Sequence, residues 1–279
     1  MPQLILPAPA KLNLFLHITG RRDDGYHLLQ TAFQLLDYSD EIILSRRDDG
    51  IIKRIKGLEG VPESSDLCIC AAKLLQQKTQ SPLGVDISID KRLPIGGGIG
   101  GGSSDAATVL QGLNRLWGCG LDISELANLG VQLGADVPIF VEGHTAWAEG
   151  VGEVLTAIEL EEKWFIVIHP NISVSTAEIF ADKALTRDCE TITIARFLKD
   201  DSLVNVFEPI VRKRHLEIDK AIDWLSQFSP ARLTGTGSCL FASFDKKEQA
   251  EQVLNDLPEQ WQGFVAKGVN QSPLLSALG

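Results

Sequence analysis

The 279-residue sequence predicts an α+β protein of two domains, and three observations predict it. Segments with strand alternation and segments with helical spacing follow one another without the strict β-α-β order of a parallel sheet. The pattern restarts with a buried strand at Trp164, just after the charged stretch Glu159 to Lys163. Length and a 44% apolar content are enough for more than one core of ordinary size.

In chain order, Lys11 to Ile18 (KLNLFLHI) alternates in part, and Leu36 to Ser45 and Val85 to Ile89 (VDISI) alternate more cleanly, as half-buried strands do. Asp66 to Gln77 and Asp105 to Trp117 (DAATVLQGLNRLW) carry helical spacing, with Ser103 or Ser104 as the expected N-cap of the second and Gly118 as its stop. Leu121 to Leu133 reads as a further helix. The strand WFIVIHP, a short helix at STAEIF, a helix over Leu216 to Phe228, the glycine turn and strand LTGTGSCLFASF, and a helix over Lys246 to Leu257 complete the second half. The boundary is placed near Thr156, giving domains 1–155 and 156–279. No internal repeat or low-complexity tract is present.

A formal net charge of −11 argues against broad neutralisation of nucleic-acid phosphates, so no nucleic-acid partner is expected. An anionic ligand must be met by a local positive site. The five cysteines are odd in number and lack paired spacing, which signals neither a disulfide framework nor a zinc site. The opening MPQLILPAPAKLNLFL has no basic lead and its apolar run is broken by prolines and Lys11, so no secretory signal is read. With no apolar run long enough to span a bilayer, the expectation is cytoplasmic residence, with no membrane and no obligate protein partner.

The strongest chemical signal is PIGGGIGGGSSDAATVL, where six glycines occupy seven positions ahead of an amphipathic helix. Glycine lets the backbone approach a ligand closely, and a helix start offers unpaired N–H groups at the positive end of a dipole. Together they form a phosphate cradle. The bland alternative is a flexible linker or a tight turn with a capping serine. The string also contains G-x-G-x-x-G at Gly96, Gly98 and Gly101, with Asp122 beyond it, as in dinucleotide sites. A Walker A loop is excluded because no Lys-Ser or Lys-Thr follows the glycines, and the protein-kinase motif set is absent. GADVPIF places Asp136 in a turn after a helix, partly shielded by Val137 and Pro138 as a base would be; alone, it reads better as a plain turn residue. LTGTGS, alone, reads as a turn before a strand. His17, His144, His169 and His215 show no metal-ligand spacing, and no residue is assigned as a metal ligand.

PAPAKLNLFL near the start, PIGGGIGGGSSDAA in the middle and RLTGTGS near the end resemble, in order and spacing, the three motifs of the GHMP kinases. KLNLFLHITGRRDDGYHLLQT, LGADVPIF and AKGVNQSPL extend the resemblance over nearly the whole chain. It implies a two-domain α+β fold, an N-terminal domain like domain 2 of ribosomal protein S5 followed by a ferredoxin-like C-terminal domain. It also implies transfer of the γ-phosphoryl group of ATP, with Mg²⁺, to a small-molecule alcohol, the 2-hydroxyl of a cytidine-diphosphate-linked methylerythritol on the non-mevalonate route to isoprenoids.

Carried over residue by residue, the resemblance assigns Asp136 as base and Lys11 as its charge partner. ATP falls to Pro94, Ile95, Gly96, Gly97, Gly98, Ile99, Gly100, Gly101, Gly102, Ser103 and Ser104, with Ser104 the hydroxyl expected nearest magnesium. Asn13, Tyr26, His27, Phe180, Thr176 and Gly237 fall to the substrate, with cytosine held between Tyr26 and Phe180 and its edge bonded by His27. Asp105 departs from the neutral residue that also occurs in the family, and is expected to cap the helix start.

Two other classes stay in view: a dinucleotide-dependent oxidoreductase on the weak glycine fingerprint, and an RNA-binding module on the likeness of the first domain to a ribosomal fold. Nucleotide-dependent thermal protection separates the first from a kinase. ATP with magnesium is expected to raise Tm while NADH leaves it unchanged; protection by NADH alone would overturn the kinase reading.

Overall fold

The computed structural model describes residues 2–56, 62–200 and 203–279. The first half runs β1 (Gln3–Arg21), β2 (His27–Arg47), β3 (Ile52–Lys56), α1 (Leu67–Thr79), β4 (Gly84–Asp90), α2 (Gly101–Trp117), α3 (Ile123–Val131), α4 (Val137–Glu142), β5 (Ala146–Glu149) and β6 (Val154–Ala157). The second runs β7 (Trp164–His169), α5 (Thr176–Phe180), α6 (Ile194–Phe197), α7 (Glu208–Arg214), α8 (Leu216–Leu225), β8 (Arg232–Leu233), β9 (Leu240–Phe244), α9 (Lys247–Asn255), β10 (Gln262–Val269) and α10 (Pro273–Leu278).

β1 and β2 form one long antiparallel hairpin, from Gln3 opposite Ser45 to Arg21 opposite His27. The sequence suggested much shorter strands. Alternation is hidden because every residue from Ala8 to Asn13 is buried, and Pro7 and Pro9 read as breakers. They are tolerated because β1 has a single laddered neighbour, so their missing N–H groups remove no second row of bonds.

The strands join in the order β3-β4-β2-β10-β7-β9-β8, with β1 and β5 branching from β2 and β6 lying on β5. β10 ties the halves together, pairing with β7 along its length and with Leu35 and Leu36 of β2 at its end. The sequence reading missed this strand, since two of its buried positions are Ala266 and Gly268, too small to register as an apolar stripe. The expected boundary at 155/156 falls inside β6, and α10 returns to bury Leu274 in the core of the first half.

α2 is the floor beneath the candidate site and is buried on nearly all sides from Ser104 to Leu113. It begins at Gly101, not Asp105, and left-handed Gly100 (φ 77°) stands at its N-cap with no side-chain bond, so neither Ser103 nor Ser104 caps it. Gly118 ends it as expected, also left-handed. Asp122 accepts from Glu125 N at 2.8 Å in a capping box, so the carboxylate that lies beyond the glycine fingerprint starts α3. One apolar cluster crosses the seam between the halves, joining Ala10, Leu12 and Ile99 to Phe165, Phe241 and Phe264. Each fully buried large aliphatic chain there contributes about 1.5–3 kcal/mol, enough to fix the glycine loop containing Ile99 against both halves. Among the described residues no helix is long and apolar enough to cross a membrane.

Candidate active site

The glycine run connects β4 to α2, and its carbonyls are turned onto the scaffold. Gly97 O accepts from Cys239 N at 2.9 Å, Gly98 O from Thr234 Oγ1 at 3.4 Å, and Ile99 O from Lys11 N at 3.0 Å. A Cβ at Gly98 would lie 2.5 Å from Thr234 O, and one at Gly100 2.6 Å from the Phe140 ring, so both positions require glycine on contact alone. Ser104 N makes the first helical bond, to Gly100 O at 2.8 Å, which leaves the N–H groups of Gly101, Gly102 and Ser103 without intrahelical partners. With its carbonyls occupied and its first helical N–H groups unpaired, the loop has the chemistry of an anion site.

Two cavities meet here. One of about 310 Å³ is lined by Leu67, Lys91, every residue from Pro94 to Ser103, and Asp136. The other, about 410 Å³, is lined among others by Lys11, Asn13, Thr31, Phe33, Thr176, Phe180 and Gly237. Gly96, Gly98, Ser103 and Asp136 border both. Ser104 borders neither; it is fully buried, with an unpartnered Oγ, and Ser103 carries the hydroxyl that faces the cleft. A separate cavity of about 430 Å³, walled by Leu14, Phe165, Phe197 and Phe241, is bordered by neither glycine run.

At the junction, Lys11 Nζ stands 3.3 Å from Asp136 Oδ2 and donates to Asn13 Oδ1 at 2.7 Å. The Lys11 side chain is 3% exposed and that of Asp136 37% exposed, so a buried cation addresses a carboxylate that reaches the cleft. Asn13 Nδ2 donates to Thr31 Oγ1 at 3.0 Å, which fixes the amide so that its oxygen meets the ammonium, and Asn13 N donates to Thr234 Oγ1 at 2.9 Å. The Phe33 ring, 5.0 Å from Lys11 Nζ, adds a cation–π contact. Sequence reasoning missed Thr31 and Phe33, because a hydroxyl and a ring on the neighbouring strand carry no spacing signal of their own.

At the far end, Phe180 borders the second cavity; the His27 ring, which does not border it, lies 5.0 Å from Phe180 and accepts at Nε2 from Arg187 Nε at 3.2 Å, and Thr176 and Thr236 share a hydroxyl hydrogen bond of 2.8 Å. Tyr26 is not brought against the cavity; it follows the turn at Asp24 and is 65% exposed.

Asp105 does not cap α2. It is buried, and Lys91 Nζ lies 2.6 Å from its Oδ2 and 2.5 Å from Asp40 Oδ2, so two buried carboxylates share one ammonium directly behind the loop. Asp40 also accepts from the backbone N–H groups of Arg92 and Leu93 at 2.6 and 2.8 Å, securing the approach to the glycines. Burial pushes the Asp105 carboxyl up to about 7, against the pull of Lys91 and with the added push of Asp40.

The family models of the GHMP kinases match the chain in both halves, the N terminal domain over residues 66–144 and the C terminal over 186–263. The chain belongs to the GHMP kinases, ATP-dependent kinases of small molecules. It is 59% identical over 272 residues to the 4-diphosphocytidyl-2-C-methyl-D-erythritol kinase of Alkalilimnicola ehrlichii, covering 98% of this chain and 93% of that one. It is 56% identical over 275 residues to the enzyme of that name from Nitrosococcus oceani, covering 99% and 98%. A crystal structure of a 4-(cytidine 5'-diphospho)-2C-methyl-D-erythritol kinase superposes with a TM-score of 0.85 at 29% identity, over 95% of this chain and 100% of that one.

The Asp105 site gives stability a pH dependence of defined sign. The folded state holds its proton up to about pH 7, the unfolded chain only to about pH 4, so stability falls as pH rises through that window. Urea unfolding between pH 4.5 and 8 should therefore show a shallower loss in Asp105→Asn than in the unmodified protein. Parallel profiles would show that Asp105 titrates normally.

Proposed function

We propose that the chain transfers the γ-phosphoryl group of ATP to the 2-hydroxyl of 4-diphosphocytidyl-2-C-methyl-D-erythritol, in the non-mevalonate route to isoprenoid precursors. The observation that carries this reading is the position of Asp136, on the rim shared by the glycine-loop cavity and the second cavity. A hydroxyl bound in one cavity and a triphosphate bound in the other then meet beside a single carboxylate. The relatives named above supply the identity of the acceptor.

The residues divide the work as phosphoryl transfer requires, by positioning and charge stabilisation. The N–H groups of Gly101, Gly102 and Ser103 and the dipole of α2 hold the phosphates. Asp136 orients the acceptor hydroxyl and takes its proton as the new oxygen–phosphorus bond forms and the bond to the bridging oxygen of ADP breaks. That proton moves late, because an ordinary carboxylate is too weak a base to ionise an alcohol outright. Lys11 pairs with Asp136 and faces the charge on the group in transit. A magnesium ion suits the oxygen donors at the junction, Ser103 and Asp136, and would supply further charge neutralisation while leaning mainly on phosphates and water. Among the described residues no cluster of three or more His, Cys, Asp or Glu could hold a metal unaided. The five cysteines are free thiols, and we place the reaction in the cytoplasm, where they stay reduced.

A coupled assay of ADP release across the cytidine-linked alcohol, mevalonate, homoserine and galactose tests the acceptor. Turnover should be confined to the first, and turnover of another acceptor in its place contradicts the reading. Asp136→Asn is expected to lower kcat by about a hundred- to ten-thousand-fold with little change in ATP affinity. Near-normal turnover would remove Asp136 from the base role.

A further inference from the structure

Asn205 is 1% exposed, and every polar atom of its side chain is engaged. Oδ1 accepts from Phe207 N at 3.0 Å, which fixes the orientation of the amide. Nδ2 then donates its two hydrogens to Leu233 O at 2.9 Å and Gly235 O at 2.7 Å, both in the LTGTGS turn. Glu208 Oε2 accepts from Leu233 N at 2.9 Å, so side chains stand where a neighbouring strand would bond Leu233. The main chain beside Asn205 is tied to β1, the strand that carries Lys11. Leu16 N donates to Val204 O at 3.2 Å, and Val206 N to Leu16 O at 2.9 Å.

The carbonyl and the N–H of a trans peptide unit point in opposite directions, so a Gly235 carbonyl drawn to Asn205 turns the Thr236 N–H the other way. Asn205 is buried and borders no part of the second cavity, whereas Gly235 and Thr236 both line it. Thr234 O is likewise occupied, by Gly237 N at 3.0 Å, and neither the Gly235 nor the Thr236 N–H has a partner among the described residues.

We propose that Asn205 is a positioning residue for acceptor binding: by holding Gly235 O it aims the Thr236 N–H, with the Gly235 N–H beside it, into the second cavity as donors to an acceptor oxygen. The proposal rests on the acceptor proposed above, whose charged diphosphate oxygens suit successive backbone N–H groups. The tie to Leu16 sets this donor wall relative to the strand that presents Lys11. An asparagine serves here because its amide supplies two donors to the turn and one acceptor to its own segment. A carboxylate would set oxygens against two carbonyls, and an apolar chain of similar size would leave both carbonyls unbonded.

The test measures the acceptor KM, kcat and the dissociation constant of ATP in Asn205→Leu and Asn205→Asp. Asn205→Leu should raise the acceptor KM by about ten- to a hundred-fold, the worth of a hydrogen bond to a charged group, with kcat and ATP binding little changed. Asn205→Asp should raise it as far at pH 8 and recover part of the loss toward pH 6, relative to the unmodified protein, since its carboxyl donates only when protonated. Replacing Thr236 by its α-hydroxy acid puts an ester oxygen in place of the N–H and should raise the acceptor KM alone. That variant keeps the inference testable if the Asn205 variants lose the local fold. A lower Tm and kcat in Asn205→Leu at an unchanged acceptor KM would show that Asn205 only braces the core, and overturns the inference. So does an ester at Thr236 that leaves the acceptor KM unaltered. Should the unmodified protein turn over another acceptor and not the cytidine-linked one, the reading above fails, and the KM of that acceptor in the same variants still decides whether Asn205 aims the N–H.

Discussion

Lys11 sets a full positive charge at a point that is 2% exposed, and the geometry of the cleft is referred to it. An unpaired ammonium there would be costly, so its surroundings are built to hold it: Asn13 Oδ1 at 2.7 Å, Asp136 Oδ2 at 3.3 Å and the face of Phe33. The same residue's backbone N–H bonds Ile99 O in the glycine loop. One position of β1 thus fixes an ammonium, the Asp136 carboxylate and the glycine loop relative to one another. Asn13 adds the last glycine motif through Thr234, so three segments distant in sequence share one hydrogen-bonded frame.

The chain carries a net charge of −11 and must still hold a triphosphate. In the proposed reading it does so with backbone N–H groups of a loop whose carbonyls are already occupied, and with two lysines under local control. Lys91, beside the loop, has its charge shared by Asp40 and Asp105, whereas Lys11 keeps a carboxylate that also reaches the cleft. In the proposed reading Lys11 is accordingly the cation disposed toward the group in transit, while Lys91 braces the loop.

The motif string was legible in the sequence because backbone chemistry writes itself in glycine: positive φ at Gly96, Gly98 and Gly100 and the contacts at Gly98 and Gly100 leave no other residue type. Lys11 and Asp136 were legible only beside those motifs, since a lone strand lysine and a turn aspartate look ordinary. Side-chain direction was not legible. Ser103 and Ser104 are equivalent as letters, yet the pitch of α2 turns one to the cleft and the other into the core. Asp105 read as a cap because the helix was started four residues late, and its partner Lys91 lies across a loop whose path no spacing predicts. Arg187 was invisible for the same reason, its contact with His27 being made by folding alone.

The central claim is that Lys11 acts on charge that develops during transfer and does not merely bind nucleotide. Lys11→Met, with kcat measured alongside the dissociation constant of ATP, tests it most directly. The account requires kcat to fall by orders of magnitude while ATP binding weakens little. A variant with near-normal kcat and a raised dissociation constant for ATP would show that Lys11 is only a binding group, and the frame described here would lose its centre.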